Sequence, residues 1–274
     1  MAAGAIVLLF GLFFFGKTSQ DKKPVATTTA PSQKFDFEDY LVHSKESLTE
    51  PQSRVLTQLE SKLSSQVNDN QKIEIYNSIA NFWKDSAHSL DFFAFYTSES
   101  SKLENSEKNL TFAAQLMLDA LRNDQNALKR NWKAEQAVEL FERAIKLNPN
   151  NTDLKIGLGS CYVFGKGMTG DAEQTMKGIQ QLLQVVKEDS TNVKAQLVLG
   201  IGGVISTQYD KAIQRLLFVV NNQPNNLEAI SWLADAYAGK GDKVNAVKWY
   251  EISKKMVNNP EYSKEVDARI KLLK

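Results

Sequence analysis

The chain has 274 residues, in which 33 lysines and arginines stand against 32 aspartates and glutamates. That balance excludes a protein that holds nucleic acid by neutralising phosphates along a basic face. Fourteen glycines and six prolines are few for a fold of many tight β-turns, and the lone Cys161 excludes an internal disulfide framework.

The amino terminus differs in kind from the rest. The run "AAGAIVLLFGLFFFG", Ala2 to Gly16, is apolar and uncharged. As a helix, residues 1–16 would measure about 24 Å, short of the roughly 30 Å hydrocarbon core. Spanning requires local thinning and snorkelling by Lys17. The length also suits a signal sequence, but no good small-x-small site follows Gly16, so a retained single-span anchor is the preferred reading. Lys17, Lys22 and Lys23 follow the span, which by positive-inside counting places the bulk of the chain in the cytoplasm. The missing basic flank before it fits equally well with a start upstream of Met1. The side of the membrane, periplasmic or cytoplasmic, therefore stays open.

Residues 17–34, "KTSQDKKPVATTTAPSQK", are polar and aperiodic and read as a flexible linker on the order of 25 Å in reach. Helical patterning begins at Phe35, and residues 35–70 are expected to form N-terminal helices. "TEPQ" at Thr49 to Gln52 fits a capping box with proline in the first turn, and Val55, Leu56, Leu59 and Leu63 follow on one face.

From Ile73 onward short amphipathic helices alternate with polar joints. "AEQAVELFERAIKLNPNN", "DKAIQRLLFVVNNQPNN" and "DKVNAVKWYEISKKMVNNP" repeat one rhythm. Ala212 to Ala246, Leu199 to Leu233 and Gly200 to Ala234 all keep an offset of about 34 residues. The period and the paired helices resemble the tetratricopeptide repeat family, as a membrane-anchored and bacterial-looking member. The resemblance divides residues 73–260 into units of about 73–106, 107–151, 152–192, 193–226 and 227–260.

The unit of 227–260 fits best, with Leu233, Ala234, Tyr237, Gly241, Ala246 and Tyr250. The unit before it has Leu199, Gly200, Ala212 and Pro224, but Gly203 replaces a tyrosine. The unit of 152–192 has Leu158, Gly159 and Tyr162, and then about seven extra residues in "GKGMTGDAEQ" before helix B resumes at Gly178. The unit of 107–151 has Ala137, Phe141, Ala144 and Pro149, with about eleven extra residues around "NDQNALKRNWK". The first unit keeps Ile79, Ala80, Trp83 and Tyr96. Residues 261–274 read as a capping helix with Val266, Ile270 and Leu273 on one side. The fold expected is thus all-α: a solenoid of four to five helical pairs, with N-terminal helices, a cap and the anchor. Each pair has an apolar face that only its neighbour covers.

Candidates for chemistry are sparse. His43 and His88 have no cysteine or carboxylate partners at metal-ligand spacing. No nucleophile elbow or phosphate-loop lysine is present. "GLGSCYVFGKG" looks like a phosphate loop, but Gly157 and Gly159 fall inside a helix of the repeat, where glycine serves close packing. Cys161 reads as a small buried apolar residue. The expectation is no enzyme, no metal, no cofactor, no nucleic acid and no small-molecule substrate.

The resemblance implies a concave groove, lined by the first helix of each pair, that holds a peptide or another protein's helix. Its phase assigns Ile156, Ser160, Val163 and Phe164, then Lys194, Leu197, Ile201, Val204 and Ile205, then Glu228, Ser231 and Asp235. The middle of that wall is apolar, as expected of a contact site, unless the inserted loop or the N-terminal helices fold over it. The family's chaperone-tail clamp is absent, because its positions hold Asn77, Asn81, Phe112 and Asp153. The function implied is a membrane-tethered scaffold or adaptor. The alternative is an assembly factor for a membrane or envelope complex, such as one that holds an apoprotein during haem-protein maturation.

Overall fold

A computed structural model describes residues 34–63, 66–169 and 171–273. The expected anchor, and all of the linker except Lys34, lie outside these residues. Among the described residues no helix is long and apolar enough to cross a membrane.

Every regular element among the described residues is helical. Two N-terminal helices, α1 (Phe37–Glu46) and α2 (Glu50–Leu63), precede five antiparallel pairs. The pairs are α3 (Asp69–Asp85) with α4 (Leu90–Glu104), and α5 (Glu107–Arg122) with α6 (Ala127–Leu147). Then come α7 (Thr152–Cys161) with α8 (Ala172–Glu188), α9 (Val193–Ile205) with α10 (Tyr209–Asn222), and α11 (Leu227–Lys240) with α12 (Lys243–Val257). Helix α13 (Pro260–Leu273) closes the array. Each pair packs against the next, so the core is a series of apolar clusters along the array rather than a central ball.

The recurring Pro-Asn-Asn ends one helix and starts the next. Pro149 follows α6, and Pro224 follows α10, where a missing amide and a ring clash stop the helix. The second asparagine then caps the next helix: the Asn151 side chain accepts from the Asp153 amide at 3.0 Å, and Asn226 from Ala229 at 2.9 Å. Asn192 repeats the cap for α9 by accepting from the Ala195 amide at 3.0 Å. Each such cap contributes about 1 kcal/mol. At α2 the cap is one-sided, with the Thr49 amide and hydroxyl both donating to the Gln52 side chain. On that helix Leu56 is buried but Val55 is exposed, which corrects the apolar face assigned to it.

The two insertions are largely helical rather than loops. In the second pair the extra residues lengthen α6 to 21 residues. In the third, α7 continues through a π turn (Tyr162–Lys166) and a 3₁₀ turn (Gly167–Thr169), and helix B begins at Ala172 rather than Gly178.

Small residues set the separation within pairs. Ala137, Ala212 and Ala246 are fully buried. A Cβ on Gly203 would stand 3.0 Å from the Ala212 Cβ, so a tyrosine has no room there. A Cβ on Gly157 would lie 2.4 Å from the Phe141 ring, which fixes Gly157 as a packing residue inside α7.

Candidate functional site

The first helices of the pairs do form a wall, but its middle is closed. Ile156, Ser160, Val163, Phe164 and Ile201 are all buried, and Val163 and Ile201 have no exposed surface. The four apolar ones belong to one cluster with Leu118 and Leu121 of α5, Ala134 of α6 and Val198 of α9. The apolar character read as a contact surface here is core. The helices of neighbouring pairs converge on it directly.

An ion pair straps this closed region. The Arg122 guanidinium, at the end of α5, lies 4.3 Å from the Phe164 ring centroid and pairs with Glu228 at the start of α11. Glu228 is therefore engaged across the inner face. Ser231 and Asp235, further along α11, are taken up by the cap helix. The Ser231 hydroxyl is 3.1 Å from that of Tyr262, and Asp235 accepts from Arg269 at 3.0 Å and from the Tyr250 hydroxyl. Lys194 is exposed and pairs with Asp153 at 2.8 Å.

What remains partly open is a strip interrupted by the sealed Ile201. Leu197, Val204 and Ile205 of α9 are half-buried, with Trp232 of α11 alongside. Leu197 and Trp232 pack against both the central cluster and that of the fourth and fifth pairs, so the strip sits where those clusters meet. Lys194 and Glu228 flank it at the starts of α9 and α11. The strip offers apolar area with a polar edge, the usual form of a protein contact.

A second polar feature escaped the sequence reading. Lys133, on α6, is buried and donates to Asp91 on α4, to Asp124 at 2.7 Å and to the Ala120 carbonyl at 3.4 Å. Lys129, one turn earlier, pairs with Asp91 at 3.0 Å and Asp124 at 3.3 Å. Burial alone would raise the Asp91 carboxyl, but hydrogen bonds and charge from Lys133 and Lys129 outweigh it and hold its pKa below the usual aspartate value. This tetrad floors a cavity of about 450 Å³ between α4, α5 and α6, with Leu90, Phe93 and Leu116 among its apolar walls. The only signal in the sequence was the lysines of the insertion in the second pair, and their partners lie up to 42 residues away.

The residues considered for chemistry stay apart. Cys161 is fully buried, and burial pushes its thiol far above the usual range. His43 is exposed on α1, with its Nδ1 2.8 Å from the Asp39 carbonyl. Among the described residues no three histidine, cysteine or carboxylate side chains cluster to hold a metal.

Comparisons with known proteins place the fold. No family model matches the chain, and no curated protein matches it. Among solved structures, the tetratricopeptide repeat protein TTC0263 of Thermus thermophilus superimposes with a TM-score of 0.51 at 15% identity, over 75% of this chain and 98% of that one. MamA of Desulfovibrio magneticus gives 0.48 at 18% identity, over 68% of this chain and 96% of that one. YrrB, described as a tetratricopeptide repeat protein with an unusual peptide-binding site, gives 0.44 at 16%, over 74% of this chain and 100% of that one. The fold is that of an α-solenoid of tetratricopeptide type.

Proposed function

We propose that this protein is a membrane-tethered scaffold that captures a partner polypeptide along the strip of Leu197, Val204, Ile205 and Trp232. The observation that carries the reading is the partial exposure of these four apolar side chains on adjoining first helices. An amphipathic helix laid across α9 and α11 would complete their burial, bordered by the Lys194–Asp153 and Arg122–Glu228 pairs. The tether rests on the apolar run of residues 2–16. No catalytic role is assigned to the chain.

The test is a photo-crosslinking amino acid placed at Val204 in the full-length protein, with Val244 as the control. Val244 is 81% exposed on α12, away from the strip. A defined adduct at Val204 that disappears with Leu197→Asp, and is absent at Val244, supports the reading. Equal adducts at both positions, or none at Val204 in native membranes, contradict it.

A further inference from the structure

Helices α9 and α10 carry more cations than acids. Helix α9 has Lys194 and no carboxylate, and α10 has Lys211, Arg215 and the single acid Asp210. Asp153 already takes Lys194 at 2.8 Å, and Lys240 of α11 takes Asp210 at 2.7 Å. Among the described residues no carboxylate is left for Lys211 or Arg215. The two stand one turn apart on the same face of α10, where like charges oppose the helix.

Arg215 differs from the other arginines of the described chain, each of which is held by a carboxylate or a backbone carbonyl. Glu50 takes Arg54, Glu228 takes Arg122, the Asp124 carbonyl takes Arg130, Glu139 takes Arg143 and Asp235 takes Arg269. Arg215 donates only to the Gln196 side chain, at 2.6 Å, and that amide is fixed by donating in turn to the Ser190 carbonyl at 2.9 Å. Gly200 brings α10 close to α9: a Cβ there would stand 2.8 Å from the Leu216 side chain and 3.6 Å from the Arg215 Cβ. The guanidinium is half-buried, and burial holds its pKa below the usual arginine value with no opposite charge to raise it. A desolvated cation whose donor fork is mostly open is one half of an ion pair that lacks its anion.

A cavity of about 260 Å³ lies in front of it, lined by Arg215, Lys211, Gln196, Gln214 and the half-buried ring of Phe218. Positions 211, 214, 215 and 218 fall on one face of α10, so ammonium, amide, guanidinium and aromatic ring stand in a row. Lys211 reaches only the Gln208 side chain, at 3.1 Å. The cationic end calls for an oxyanion, and a planar carboxylate matches the guanidinium fork. The Phe218 end adds an apolar wall that an inorganic ion would not use. The cavity is smaller than the roughly 300 Å³ at which drug-sized sites begin, so the ligand it suits is small.

We propose that the cavity between α9 and α10 binds a small organic acid, its carboxylate held by Arg215 and Lys211 and its apolar part laid against Phe218. None of these residues belongs to the strip of Leu197, Val204, Ile205 and Trp232, so the site stands or falls separately from the proposed function.

The test titrates full-length protein carrying isotope-labelled arginine with hydrocinnamate, acetate and inorganic phosphate, read by nuclear magnetic resonance. The Arg215 Nε–H signal, assigned by its loss in Arg215→Lys, should move saturably with hydrocinnamate while that of exposed Arg54 stays in place. Hydrocinnamate should bind about tenfold more tightly than acetate or phosphate, through the added apolar contact. Phe218→Ala should erase that preference and leave acetate binding unchanged. An Arg215 signal that does not saturate, or that moves together with the Arg54 signal, would overturn the site as an effect of ionic strength alone. Equal affinity for phosphate and hydrocinnamate would overturn the organic acid even if Phe218→Ala failed to fold. A preference that survives Phe218→Ala would overturn the placement of the ligand against the ring.

Discussion

Lys133 carries more structural consequence than any single residue of the wall. It is 2% exposed, and its ammonium satisfies Asp91, Asp124 and a backbone carbonyl at once. Replacing it with methionine fills similar space but removes its hydrogen bonds to both carboxylates and leaves Lys129 as the cation between them. Lys133→Met is therefore expected to destabilise the protein by about 1.5–3 kcal/mol at neutral pH, read from urea unfolding. The pH dependence has a definite sign. Because the folded Asp91 titrates below its unfolded value of 3.8, its stabilisation is fully present above that pH and is lost as the pH falls through the lowered folded value. In the methionine variant the acid limb should flatten, and an unchanged acid limb would show that the tetrad does not set it. None of this was legible in the sequence, because an ion pair between residues up to 42 apart leaves no local pattern.

At the scale of the helix, the repeat was readable where one residue does one local job. Asparagine after proline caps the next helix, and alanine in helix B admits helix A. Removing the cap with Asn192→Ala should cost about 1 kcal/mol of stability. Gly157→Ala should cost about 1–3 kcal/mol, because its methyl would overlap the Phe141 ring. Thermal unfolding in which Gly157→Ala is neutral would mean that Phe141 has room to move. The insertions were less legible. Extra residues can extend a helix or leave it as a loop, and local propensity does not choose between them. Here the π and 3₁₀ turns of residues 162–169 keep the chain helical.

For the whole molecule, the phase of the repeat located the wall but could not tell an open wall from a closed one. The same Ile, Val and Phe pattern suits a groove awaiting a helix or a core already filled by neighbouring pairs. How far the pairs turn relative to one another decides between the two, and long-range contacts such as Arg122 with Glu228 record that turn. Both partners of this strap are about a third exposed, at 35% and 33%. Its loss should therefore cost no more than about 1 kcal/mol. Arg122→Gln should leave melting almost unchanged while raising the radius of gyration measured by small-angle scattering. A charge-swapped Arg122→Glu/Glu228→Arg pair should restore it.

On the proposed function, one face of α9 is sealed in the core at Ile201 and left partly open for docking at Leu197, Val204 and Ile205. Leu197 is half-buried and Ile201 has no exposed surface, and both were read from the sequence as lining the same groove. The most direct test compares full-length Leu197→Asp with full-length Ile201→Asp by circular dichroism and urea unfolding. Leu197→Asp should keep its helicity and lose about 1 kcal/mol or less, whereas Ile201→Asp, burying an unpaired charge, should lose about 3 kcal/mol or more. Equal tolerance of both would mean that the wall is open along its length, and equal collapse would mean that no docking strip exists.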